Sequence, residues 1–164
     1  MSDSIRSDHA LVTKLPEVLM ARFLFLPLII VAAAGAAPHP ESHGGGKFEA
    51  KLSGAAEVPG PGDPDGAGSA VLTVNPGKHQ ICYTITAENI GTASMAHIHS
   101  GTAGTAPPNN VVVSLTAPAA GKSEGCSDVT HEAAMAIMKD PAAYYVNVHN
   151  AEFPAGALRG QLTK

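Results

Sequence analysis

From residue 47 to residue 162 the apolar residues recur at every second position, in short runs broken by Gly, Pro and Asn. Period two is the signature of strands with one face packed and one face polar, and it is incompatible with the 3.6-residue period of an amphipathic helix. The runs are 47–53, 68–74, 79–87, 93–99, 110–117, 143–149 and 158–162. Between them lie the strong breakers PGPGDPDGAG and GTAGTAPPNN. Seven such strands predict an all-β fold, an antiparallel Greek-key sandwich or barrel. One helical interruption is predicted at 130–140. Asp128 or Thr130 would cap it, Ala134, Ile137 and Met138 would form its apolar stripe, and Pro141 follows its end.

The most apolar segment lies outside this region. FLFLPLIIVAAAGAA (23–37) follows Arg22 and is about 15 residues long, short of the roughly 20 needed to span a bilayer. A basic flank, a Leu/Ile/Val core and a small-x-small end at Ala34 and Ala36 describe a secretory signal peptide over 1–36. Residues 1–19 mix acidic and basic side chains, so a start at Met20 is the tidier reading. A linker, 37–46 (APHPESHGGG), precedes the folded domain, 47–164. Pro38 has no amide hydrogen and so spoils an N-terminal copper clamp at His39. The protein is therefore expected in the periplasm or secreted, with no membrane span after cleavage.

Charge narrows the partners. The chain has ten Lys and Arg against 14 Asp and Glu, a net charge of −4, which gives no cationic face for nucleic acid. No phosphate-binding glycine loop and no nucleophile elbow occurs. These features argue against nucleic-acid binding and against nucleotide or serine-hydrolase chemistry. Cys82 and Cys126, the two cysteines, read first as one disulfide in an oxidising compartment.

The informative residues are histidines. In SMAHIHS, Ala96 and Ile98 form the apolar parity, which leaves Met95, His97 and His99 opposite. In YYVNVHN, Val146 and Val148 point inward, and Tyr145, Asn147 and His149 point the other way. Strand residues two apart are about 7 Å apart, close enough for two imidazoles to meet one ion at about 2 Å per bond. With a third imidazole from a neighbouring strand, His97, His99 and His149 make a three-nitrogen metal site on the outside of the barrel. Imidazole suits copper and zinc, and three protein ligands leave an open position for water or a small anion. His79 shares parity with Ile81, Tyr83 and Ile85 and is expected at the core rim. His131 is expected in the first helical turn, and His43 lies in the linker.

FEAKLSGAAEVP (48–59), GAGSAVLTV (66–74), MAHIHSGTAG (95–104), VVVSL (111–115) and YYVNVHNAEFPAGALRGQL (144–162) closely resemble the chordin-type, or CHRD, domain family. That resemblance implies an exported β-domain, and its chordin members imply a non-catalytic protein or matrix interaction module. AHIH followed by VNVH is more distantly similar to the copper ligands of copper–zinc superoxide dismutases. This second likeness implies copper at His97, His99 and His149, an anion-guiding role for Arg159 at a different spacing, and a copper-only dismutase-like activity. The segment 100–122 supplies no bridging His and no zinc-binding His and Asp, so a zinc site of that type is not implied.

Overall fold

A computed structural model describes residues 44–107 and 110–164. The expected signal peptide, the Met20 start, His43 and most of the linker lie outside the described residues. The rest is all-β with one α-helix, as the periodicity predicts. Eight strands run β1 Gly46–Ser53, β2 Ala67–Asn75, β3 Gln80–Glu88, β4 Ala93–Ser100, β5 Val111–Leu115, β6 Lys122–Asp128, β7 Tyr144–Asn150 and β8 Leu158–Gln161. Their order in one sheet is β5-β4-β7-β8-β1-β2-β3-β6, with every pairing antiparallel. The sheet curls until its two ends meet. Ser127 Oγ donates to the Ser114 carbonyl and Ser123 Oγ to the Thr116 carbonyl, both at 2.7 Å, so side chains on β6 stitch it to β5 and nearly close a barrel.

The inward parity is continuous around the curl. Phe48, Leu52, Leu72, Val74, Ile81, Ile85, Ile98, Val146, Val148, Leu158 and Leu162 are all buried. The helix α1, His131–Lys139, adds Ala134 and Ile137 to this core, with Met138 packed at its edge. Thr130 is its N-cap: the side chain accepts from the Ala133 amide at 3.1 Å and satisfies a donor that the first helical turn leaves open. Asp140 and Pro141 end it, as expected.

Two strand assignments differ from the sequence reading. β6 (KSEGCSD) is an eighth strand that alternation does not reveal, because among its residues only Ser123 is buried. Its partner β3 and Cys126, joined to the directly opposed Cys82 as a disulfide, hold it in place. His79 does not begin β3. Asn75 caps a 3-10 turn over Pro76–Lys78, accepting from the Lys78 amide at 3.0 Å, and His79 ends that turn in a left-handed conformation with φ of 52°. The chain turns a corner there, so its strand parity lapses and the ring is exposed, 5.8 Å from the His131 ring centroid.

Candidate metal centre

The site is built on the outward face of β4, β7 and β8. Antiparallel register sets Met95 opposite His149, His97 opposite Asn147 and His99 opposite Tyr145, while Asn147 faces Arg159 on the other side of β7. Opposed residues share a face, with Cβ atoms about 4.5–5.5 Å apart, so the three histidines of the sequence reading come together as expected. Their ring centroids lie 5.2 to 6.2 Å apart. One nitrogen from each lies within 4.8 Å of the other two.

The surroundings decide which nitrogen each ring presents. The Asn110 side-chain nitrogen donates to the Ser100 carbonyl at 2.6 Å and to the Tyr145 hydroxyl at 2.9 Å. Its Oδ1 therefore accepts from His99 Nδ1–H, at 2.9 Å. This fixes the His99 tautomer with its lone pair on Nε2, and that buried Nε2 has no hydrogen-bond partner among the described residues. His149 Nδ1–H donates to the Pro154 carbonyl at 3.1 Å, which likewise frees Nε2 as an acceptor. His97 Nδ1 lies 3.2 Å from His149 Nε2. Two nitrogens bound to one tetrahedral ion at about 2.05 Å would be about 3.3 Å apart, so this pair already has the spacing of co-ligands. His97 Nδ1, His99 Nε2 and His149 Nε2 form a donor set that fits copper or zinc, and each of the two enclosed rings has the partner that orients a metal-bound imidazole.

The outward face is not open, in contrast to the expectation of a cluster on the barrel exterior. Tyr145, Val146, Asn147, Val148, His149 and Asn150 are all buried, so β7 is covered on both sides. The connections 54–66, 101–107 and 151–157 roof it, through Glu57 on Asn147, Gly101 beside Tyr145 and the Pro154 carbonyl on His149. Glu57 reaches in from the first of these and accepts from the Asn147 side-chain nitrogen. Glu57 also packs on Gly156, whose φ of 155° favours glycine and where a Cβ would push the Glu57 carboxyl aside. His99 and His149 are consequently enclosed, and His97 is the half-buried edge of the cluster.

Arg159, the residue placed by likeness as an anion guide, is 2% exposed. Its guanidinium carbon sits 3.5 Å from the Tyr145 ring centroid, and the Tyr145 ring stacks in turn on His99, 7° from parallel. Nη2 donates to the Thr102 carbonyl at 3.1 Å, and Nη1 has no hydrogen-bond partner among the described residues. The cation thus backs the aromatic prop behind His99 and ties down the loop after β4. Sequence reasoning missed Glu57 and Asn110, because loop positions carry no periodicity; the breaker runs GAAEVPG and PPNN were the signals available.

Residues 48–162 match the family model of the CHRD domain. The chain belongs to the CHRD family. No curated protein and no solved structure matches it. CHRD is a domain of extracellular type, and among the described residues of this CHRD protein no helix is long and apolar enough to cross a membrane.

The orienting role of Asn110 makes a measurable prediction. Asn110→Ala removes the acceptor that holds His99 in its tautomer, and metal affinity is expected to fall about 10- to 100-fold, the usual cost of an outer-shell partner. Competition against a chelator of known strength measures it. An unchanged affinity would show that His99 needs no such orientation.

Proposed function

We propose that this CHRD protein is an exported metal-binding module that holds copper through His97, His99 and His149. The observation that carries the reading is the convergence of three imidazole nitrogens within 4.8 Å of one another, the two enclosed rings being held by Asn110 and the Pro154 carbonyl through Nδ1 so that Nε2 carries the lone pair. A bound ion would be held by Nδ1 of His97 and Nε2 of the other two, with a position left over on the His97 side. An all-imidazole set suits copper and zinc alike, and copper is preferred here on the likeness of AHIH and VNVH to the copper ligands of the dismutases. Export rests on the apolar run 23–37 and on the extracellular type of the domain.

Protein recovered without a histidine tag from the extracytoplasmic fraction is expected to carry about one equivalent of copper by elemental analysis. The double substitution His97→Ala/His99→Ala is expected to remove it. Copper retained by that variant would place the ion elsewhere and end this reading.

Proton competition follows from the same enclosure. Desolvation lowers the pKa of all three imidazoles below the ordinary 6.5. Neighbouring charge adds to it: His99 acts on His97, Arg159 on His99, and His97 and His99 on His149. The hydrogen bonds from His99 to Asn110 and from His149 to Pro154 act in the opposite sense. Neutral imidazole binds metal and imidazolium does not, so affinity should persist below the pH at which free histidine would lose it. At pH 7.5 binding is expected to release no proton; His97 only moves its hydrogen from Nδ1 to the other ring nitrogen. Titrations in buffers of different ionisation enthalpy, run from pH 7.5 down to 5, check both statements. A midpoint at or above 6.5 would contradict them.

The metal-free fold carries two opposed pH dependences. A lowered histidine pKa favours protonation of the unfolded chain, so the cluster costs stability as pH falls below 6.5. Glu57 behaves the other way. Burial raises its pKa from 4.5 to about 7, against the charge of Arg159 and the hydrogen bond from Asn147. Its contribution is complete below pH 4.5 and is lost as pH rises through 7. The denaturant midpoint of Glu57→Gln, taken relative to wild type, is therefore expected to climb between pH 5 and 8 as the wild-type carboxyl ionises, and a difference that does not change with pH would refute the assignment.

A further inference from the structure

Among the described residues, Met95 and Val111 are the large apolar side chains left exposed, Met95 at 48% and Val111 at 51%. Both lie beside the histidine cluster. Val111 pairs with His99 across the β4–β5 ladder, and Met95 pairs with His149 across the β4–β7 ladder. Valine has no donor atom. Methionine has a thioether, a soft ligand for Cu(I) that is a poor one for Zn(II).

The placement of Met95 is specific. It precedes His97 by two residues on β4 and shares its face, and it stands directly opposite His149 on that same face. Direct opposition puts the Met95 Cβ about 4.5–5.5 Å from the His149 Cβ, and two rotatable bonds then swing the sulfur. The side chain is free to do so, because half of its surface is in solvent. Within the cluster His99 and His149 are enclosed and His97 is half-buried, and the exposed Met95 is the next residue on the face of β4 that carries His97. A hydrophobic residue kept exposed beside a nitrogen triad gains by folding over it: apolar surface leaves water and the remaining coordination position is filled.

We infer that Met95 is the fourth ligand of the site, a thioether that closes over the three imidazoles and makes them selective for Cu(I). This rests on the three-histidine reading and adds to it the oxidation state and the selecting residue. The donor set becomes three nitrogens and one sulfur. Zn(II) and Co(II) would use the imidazoles alone, so their affinities should ignore residue 95.

The decisive variant is Met95→Leu, which keeps shape and apolarity, removes the sulfur, and alters an exposed position that the core does not need. Purified full chain is titrated anaerobically with Cu(I) against a Cu(I) chelator, and separately with Co(II). Met95→Leu is expected to weaken Cu(I) about 10- to 100-fold and to change Co(II) by less than threefold. X-ray absorption of the Cu(I)-loaded wild type is expected to show one sulfur at about 2.3 Å with nitrogen neighbours, the sulfur being absent from the variant. Cu(I) affinity unchanged in Met95→Leu, or a copper shell of nitrogen only, overturns the inference. If His97→Ala/His99→Ala still abolishes binding in that case, the three-histidine site stands without its sulfur. Wild-type protein that takes up neither ion removes both readings together.

Discussion

His149→Ala should weaken metal binding by two to three orders of magnitude while leaving the metal-free fold within about 2 kcal/mol of wild type. The first figure follows from the worth of a donor. Structural sites with four ligands bind with roughly 10–16 kcal/mol, about 3–4 kcal/mol per ligand, and that is roughly a hundred- to a thousandfold. The second follows from what else the ring does. Its one hydrogen bond to backbone is with the Pro154 carbonyl, 3.1 Å away in a turn whose Pro154 is exposed and can turn to water. His149 is the sharpest choice because it is enclosed and is the one histidine of the three that β7 supplies, so neither histidine of β4 can take its place. Metal-dependent stabilisation supplies an independent readout: saturating copper raises the wild-type midpoint by mass action and should leave that of His149→Ala nearly unmoved. His79→Ala is the matched control, since that exposed imidazole lies at the corner before β3 and should be silent. Equal losses from the two substitutions would mean that copper is gathered by scattered histidines and not by a shared centre.

The parts of this protein that could be read in its sequence are those where one face of a strand is apolar and the other is not. β1, β2, β3, β4 and β7 announce themselves because Phe48, Ala50 and Leu52, or Ile81, Tyr83 and Ile85, alternate with polar residues and bury with the same alternation. The parity argument also put His97, His99 and His149 on one face, which the register of β4 with β7 bears out. It could not say what lies above that face. Outward residues of a barrel strand are usually wet, and on β7 they are not, because three connections fold back over Tyr145, Asn147 and His149. That cover is written in loop sequences such as GAAEVPGPGD and NAEFPAGA, where close approach and turn geometry, with no repeating pattern, set the path.

The same reasoning explains the residues that were missed. Asn110 and Glu57 act on the site from segments with no period, and each is recognisable only once its partners, His99 and Asn147, are in place. Arg159 sits in β8 on the parity of Gln161, so its face was accessible to sequence reasoning. Its burial was not, because a guanidinium is ordinarily left in water. Here Tyr145 and the Thr102 carbonyl replace part of that water with a ring face and one hydrogen bond. β6 is the clearest failure of periodicity, since Lys122, Glu124, Gly125 and Cys126 are exposed and no apolar stripe exists to find.

That weakness of β6 predicts the second large effect. Cys82→Ser/Cys126→Ser, or reduction of the wild type, should lower unfolding stability by about 4 kcal/mol, the loop entropy for a closed segment of 45 residues. The strand has little else of its own. It contributes Ser123 to the buried interior, ladder bonds to β3, and the two serine hydrogen bonds that reach β5. The Cys126 end is exposed, so cutting the bridge opens no cavity and the cost arises from the unfolded chain and from fraying of this edge. Hydrogen exchange should therefore accelerate first over Lys122–Asp128 and along the β5 seam, with β1 and β2 protected until global unfolding. The histidine site lies on β4 and β7, neither of which pairs with β6, and only β5 stands between it and the seam. Below the lowered midpoint, the Cys82→Ser/Cys126→Ser protein, which adds no thiolate donor for copper, should bind copper with its affinity intact to within a few-fold. Loss of copper affinity in that variant at a temperature where far-ultraviolet circular dichroism still reports the folded sheet would mean that closure of the barrel between β5 and β6 holds the triad in register, and the two halves of the sheet would have to be treated as one mechanical unit.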